Sequence, residues 1–298
     1  MIEIGSSAPG SREKLRVLYH GLIPEEGDGA GYWEARRRHV AEIAGSAIEV
    51  EWRALDAAYY QDLTPAELAR YEVGEALASL SIARSVAAAD PATFDVVIIG
   101  IVQDTGLDLV RTLVDKPVVG YGQAAMLLSR CVAHRAGLLL FNQDLAQLVR
   151  ERLERYVPGH LVATELVEIG YDEVLGVFAD DGRGTTDGVR RSIESGCARL
   201  ASAGAEVIIP GQMLLSEAMR ALGIASVNGV PVIDGIASSF WLAQAVAGMW
   251  ACGLRPPARG FHWAWPPDAL RRLMLDGTQV GENAAVEAPT SETGPSAP

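Results

Sequence analysis

Residues Phe94–Asp108 read FDVVIIGIVQDTGLD. The apolar run through Ile99 stops at Gly100 and releases the chain into a polar turn. A short continuous apolar run bounded by turn residues is the pattern of a strand buried on both faces, as in a parallel sheet covered by helices. Ligands of open α/β sheets bind just beyond the carboxyl ends of such strands. The first residue past this strand is Ile101, with Val102, Gln103 and Asp104 behind it. An aliphatic side chain therefore occupies a place where an α/β enzyme usually carries chemistry.

Working outward, strand-like and helix-like stretches alternate. LRVLYH (Leu15–His20), IEVEWRAL, PVVG, GLLLF, LVATELVEI, AEVIIPG and PVID read as strands. YWEARRRHVAEIAG, ELARYEVGEALASLSIARSVAAA, Leu107–Val114, QAAMLLSRCVAH, LAQLVRERLERY, VRRSIESGCARLASAG, MLLSEAMRAL and SSFWLAQAVAGMWACG read as helices. DDGRGTTDG reads as a turn. Such alternation specifies an α/β fold with mostly parallel sheets and helices on both faces. An internal echo divides it: FDVVIIG…DKPVVGYGQAAMLL matches AEVIIPG…GVPVIDGIASSFWL, pairing Gly100 with Gly211 and Pro117 with Pro231. The expected organisation is two pseudo-symmetric domains with a cleft between them. The first comprises 15–121 and 231–276, the second 122–230. A flexible arm (1–14) precedes them, and a Pro/Ser/Thr/Glu-rich disordered tail (277–298) follows. Ile101 and Gln212, next to the paired glycines, should face each other across the cleft.

The 298 residues carry a net charge of −13 and are 49% hydrophobic. No basic stripe is available to displace counterions from nucleic-acid phosphates. No apolar run is long enough for a membrane span. The N-terminus lacks a hydrophobic signal core, so a cytoplasmic protein is the default. Cys131, Cys197 and Cys252 lie far apart in helix-like stretches without a CxxC pair, which argues against a zinc site or a disulfide framework. They read as small apolar core residues.

DVVIIG followed by DTG, then PVVGYGQAAM, GAEVIIPG and GVPVIDGIASSFWLA, resemble in that order the aspartate/glutamate/hydantoin racemase superfamily, its hydantoin-racemase branch most of all. The resemblance runs from about Phe94 to Gly253. It implies two pseudo-symmetric α/β domains, an active site between them, no cofactor, no metal, and a small carboxylate, amino acid or cyclic amide as substrate. It also implies a cysteine after each of the two echoed strands, one thiolate removing the α-proton and the opposite thiol delivering another. Those positions hold Ile101 and Gln212 here, neither of which can transfer a proton. What the sequence supports is an isomerase or lyase of this superfamily working by non-thiol acid–base chemistry. A hydrolase using Asp104 or His20 to activate water, and a non-catalytic homologue that binds a small molecule, are the alternatives. The sequence leaves a homo-oligomer open.

Among catalytic candidates, His20 follows the first strand, and imidazole suits proton transfer near neutral pH. Asp104 is either a base or the N-cap of the helix beginning near Gly106. Gln212 would orient substrate. Substrate-binding candidates are Ile101 and Gln103, Tyr121 and Gln123 in the turn before a helix, Asn142 and Gln143 after GLLLF, and Asp234 in PVIDG. The resemblance implies carboxylate binding at helix starts for the Tyr121 and Asn142 regions. Tyr59 and Tyr60 are candidates for a lid.

Overall fold

A computed structural model describes residues 14–25, 29–60, 63–179, 183–254 and 259–276. The expected tail lies outside these residues, as does the expected arm except for Lys14. The first sheet has the order β2-β1-β3-β4, from β1 (Leu15–Gly21), β2 (Ile48–Arg53), β3 (Val96–Gly100) and β4 (Val118–Gly120). The second has the order β6-β5-β7, from β5 (Ala136–Leu140), β6 (Leu161–Leu166) and β7 (Val207–Pro210). Val232 extends it by one parallel bridge to Ile208. All pairings in both sheets are parallel.

Burial follows position in the sheet. VVIIG of β3 and AGLLL of β5 are buried throughout and lie between neighbours. IEVEWR of β2 alternates between half-buried and exposed over its first four residues, as suits an edge strand covered on one face. The segment PVID, expected as a strand, forms less: β8 (Ser226–Val227) and β9 (Val230–Pro231) make a small antiparallel ribbon, and Val232 alone joins the main sheet. Pro231 has no N–H for a ladder, which limits what this stretch can pair.

The helices are α1 (Ala30–Ala44), α2 (Pro65–Ala69), α3 (Glu72–Ala87), α4 (Leu107–Leu113), α5 (Tyr121–Val132), α6 (Gln143–Glu154), α7 (Tyr171–Gly176), α8 (Arg183–Ser202), α9 (Met213–Ala221) and α10 (Gly235–Ala251). α8 begins within the stretch expected as a turn. These elements belong to one compact unit ending at Trp265, and a second unit starting at Pro266 contains α11 (Asp268–Asp276). No described helix is long and apolar enough to cross a membrane.

α10 returns from the second sheet to the first, packing against β3, β4 and α5. Its Phe240 stacks on Tyr19 of β1 (6.2 Å between centroids, 6° between planes). The Tyr19 hydroxyl donates to Met213 Sδ at 3.4 Å, tying α9 to the same point. The phenol lies so close over Gly100 that a Cβ there would sit 1.8 Å from its oxygen. Only glycine ends β3 without displacing Tyr19.

Candidate active site

Register brings the strand ends together. Gly21 of β1 pairs with Gly100 of β3, and Leu139 of β5 pairs with Pro210 of β7. The residues that follow these four strands line one cavity of about 80 Å³: Leu22 and Ile23, Ile101 to Gln103, Phe141 and Asn142, and Gln212 to Leu214. That is about half of an apolar cavity able to admit benzene. Tyr32 and Arg36 of α1 and Tyr171 of α7 also contribute to the wall. Ile101 and Gln212 thus border the same space.

Gln212 is 8% exposed, and its Oε1 accepts the Phe141 backbone N–H at 3.2 Å. That donor fixes the orientation of the carboxamide, because only the oxygen can accept it. The Nε2 group is left buried with no partner among the described residues. The Tyr32 hydroxyl is likewise buried and unpartnered. Asn142 is used otherwise: its Oδ1 accepts the Leu145 N–H at 3.3 Å as N-cap of α6.

Arg36 is the residue that strand-end reasoning misses. It is 2% exposed and lies over three aromatic faces: Tyr32 (4.2 Å), Trp33 (4.6 Å) and Tyr19 (5.3 Å). Its Nε has no partner, and none of its nitrogens pairs with a carboxylate among the described residues. Burial lowers its pKa, while the fields of Tyr19 and Glu217 raise it.

Several expected site residues lie elsewhere. His20 does not line the cavity, because β1 continues to Gly21 and the residues beyond the strand are Leu22 and Ile23. Its ring is wholly buried, Nδ1 is 2.9 Å from the Gly21 carbonyl, and burial pushes its pKa down to about 4. Asp104 lies behind the wall. Its Oδ1 accepts the Gly122 N–H (2.9 Å), while Oδ2 accepts the Gln123 N–H (2.8 Å) and the Tyr156 hydroxyl (2.7 Å). It therefore caps α5 across the fold, whereas α4, with Gly106 as its N-cap residue, has no side-chain cap. Burial pushes the Asp104 carboxyl up to about 7 against the pull of these donors. Tyr121 donates to the Pro210 carbonyl at 3.2 Å, and Gln123 accepts from Arg111 at 3.0 Å; neither lines the cavity. Gln143 is exposed at the start of α6. Tyr59 and Tyr60 do not line the cavity either, and the Tyr60 hydroxyl donates to the Leu22 carbonyl.

Asp234 caps α10 through the Ala237 N–H (2.9 Å) and joins a chain of hydrogen bonds to the buried His39 and Glu217. His39 of α1 donates from Nδ1 to Glu217 Oε1 (2.5 Å) and from Nε2 to Asp234 Oδ2 (2.7 Å). Burial would lower the His39 pKa, but hydrogen bonds and charge from the two carboxylates raise it to about 9. A positive imidazolium thus clamps α1 to α9 and α10. Cys131 and Cys252 are exposed, Cys197 is buried, and none lines the cavity. No described group of three or more His, Cys, Asp or Glu residues could hold a metal ion.

Two parallel sheets contributing their strand ends to one cavity define an α/β protein with a cavity at the sheet ends. The sequence profile of Asp/Glu/hydantoin racemases matches residues 58–243, and the chain belongs to that family. Among solved structures it is similar to allantoin racemase from Klebsiella pneumoniae (21% identity, TM-score 0.65, covering 85% of this chain and 94% of that one). It is also similar to allantoin racemase from Pseudomonas fluorescens (20%, 0.64, 85% and 97%). A putative Asp/Glu racemase from Yersinia pestis follows (14%, 0.53, 78% and 99%). At these identities the likeness is one of fold. No curated protein sequence matches.

Proposed function

We propose that the chain is a cofactor-independent enzyme of this superfamily that acts on a small carboxylate or cyclic amide without a thiol. The observation that carries the reading is the pair Ile101 and Gln212 at the two echoed strand ends. One wall is apolar, and the other offers a buried carboxamide N–H with no acceptor. A donor held in place by Phe141 suits a carbonyl oxygen on which negative charge develops, since a preorganised donor in a dry site strengthens as that charge grows.

Of the two reaction types, the lining favours the lyase. Among the described residues that border the cavity there is no carboxylate, imidazole or thiol to remove an α-proton. Cleavage of a carbon–carboxylate bond needs no base. The bonding pair stays on the α-carbon as an enolate, carbon dioxide departs, and water supplies the proton. The Gln212 N–H would hold the enolate oxygen. His20 and Asp104, the alternatives for activating water, do not border the cavity, so hydrolysis is the weaker reading.

The test is proton NMR in deuterated water on a panel of small malonate-type acids, α-substituted acids and cyclic amides. Expected are loss of a carboxylate or deuterium uptake at the α-carbon, and a fall in kcat of about a hundredfold in Gln212→Leu. Binding of panel members without turnover would overturn the enzyme reading and leave a binding protein.

A further inference from the structure

We infer that Arg36 is the charge-selecting residue of the cavity, pairing with a carboxylate of the ligand so that anionic compounds are preferred over neutral cyclic amides. The inference rests on the proposed use of this cavity and narrows its substrate class. It starts from an arginine that is 2% exposed, borders the cavity, and lacks an anionic partner among the described residues. A buried charge is ordinarily paired, because desolvation is expensive and must be offset by a counter-charge and hydrogen bonds.

The surrounding carboxylates are already committed. Glu217 is bonded to His39, and Glu25 is paired with Arg37. Three aromatic faces hold the guanidinium by cation–π attraction, which fixes the fork but satisfies none of its N–H donors. Gly21 keeps the space beside it open: a Cβ there would come within 3.3 Å of Arg36 Nη1. The planar fork suits a carboxylate, which can accept two of its donors at once. The unpartnered Tyr32 hydroxyl and Gln212 carboxamide N–H add two more groups at the same cavity able to donate to oxygen. Together they ask for an acceptor-rich, anionic ligand small enough for about 80 Å³.

The experiment is isothermal titration, at low salt, of short aliphatic carboxylates from acetate to valerate, each alongside its own carboxamide. Wild type and Arg36→Met are compared, with Arg36→Lys as a third protein. Wild type is expected to bind the acid about ten- to a hundredfold more tightly than the amide, the range of a charge-assisted hydrogen bond. Arg36→Met should lose that preference, its affinities for acid and amide becoming similar. Arg36→Lys should keep part of it. A circular dichroism spectrum and a melting temperature like those of wild type report that each variant is folded. A carboxylate preference that survives in Arg36→Met overturns the inference while sparing the proposed function. Binding of neither acids nor amides by wild type overturns the cavity as a ligand site, and with it both proposals.

Discussion

Raising the pH should release the clamp around His39, and the size of the effect follows from its surroundings. The imidazole is 2% exposed and lies between Glu217 and Asp234. Its pKa rises from 6.5 to about 9 in the folded state. The folded state therefore holds this proton more tightly than the unfolded chain does. The resulting stability is fully present below about pH 6.5 and is lost as the pH rises through about 9, at about 1.4 kcal/mol per pH unit and about 3 kcal/mol in all. The physical reason is donor count: a neutral imidazole has one N–H, so one carboxylate must then face a lone pair. The perturbation is His39→Gln, which removes the titration. The assay is urea unfolding of wild type and variant between about pH 6 and 9, comparing the difference between them at each pH. The gap should be widest at the acid end and narrow steadily upward. His20 acts in the opposite sense over the lower window, favouring the folded state above its ordinary pKa and opposing it as pH falls towards about 4. It is present in both proteins and cancels in the difference. A gap that stays constant from about pH 6.5 to 9 would refute the assignment of a protonated His39.

Asp104→Asn should lower the melting temperature by several degrees, because the new NH₂ faces groups that already donate, a conflict of about 1–3 kcal/mol. An equally stable variant with altered turnover would instead put Asp104 in the chemistry. Alkylation with iodoacetamide should modify the exposed Cys131 and Cys252 and spare Cys197, whose thiol burial pushes up to about 12, with ligand binding and any turnover unchanged. Loss of either function on alkylation, in folded protein, would contradict the placement of the thiols away from the cavity.

The parallel strands were legible wherever burial wrote itself into consecutive residues. VVIIG and VIIPG leave no polar position, so their strand character and the turns after Gly100 and Pro210 follow from sequence alone. That is why Ile101 and Gln212 could be placed on the cavity. His20 lies inside β1 and not beyond it, because glycine at position 21 looks like a strand end but continues the ladder, pairing with Gly100. Asp104 reads in the sequence as either a base or a cap of the helix that follows, whereas the N–H groups it caps are those of Gly122 and Gln123. Arg36 and His39 were invisible for another reason. In YWEARRRHVAEIA they sit among charged neighbours and resemble a solvated face. Yet Tyr32, Trp33, Arg36, His39 and Val40 share one helical stripe and are all buried. That spacing was the available signal, and it places two basic groups on an apolar face. The partners of His39, Glu217 on α9 and Asp234 at the cap of α10, lie far along the chain, so no local pattern names them.

The return of α10 to the first sheet has a consequence for the order in which the protein can be made. β1 to β4 are synthesised first, yet the layer over them is completed by Gly235–Ala251, with Phe240 on Tyr19 and the start of α10 close against Tyr121. A nascent chain that has emerged only as far as β7 therefore exposes the aromatic floor of its earliest sheet. Vectorial folding favours units whose contacts close early. Here the ribosome must release almost the whole compact unit before its first-made part is sealed, and a truncation just before Gly235 should be captured by chaperones instead of ripening into half a protein.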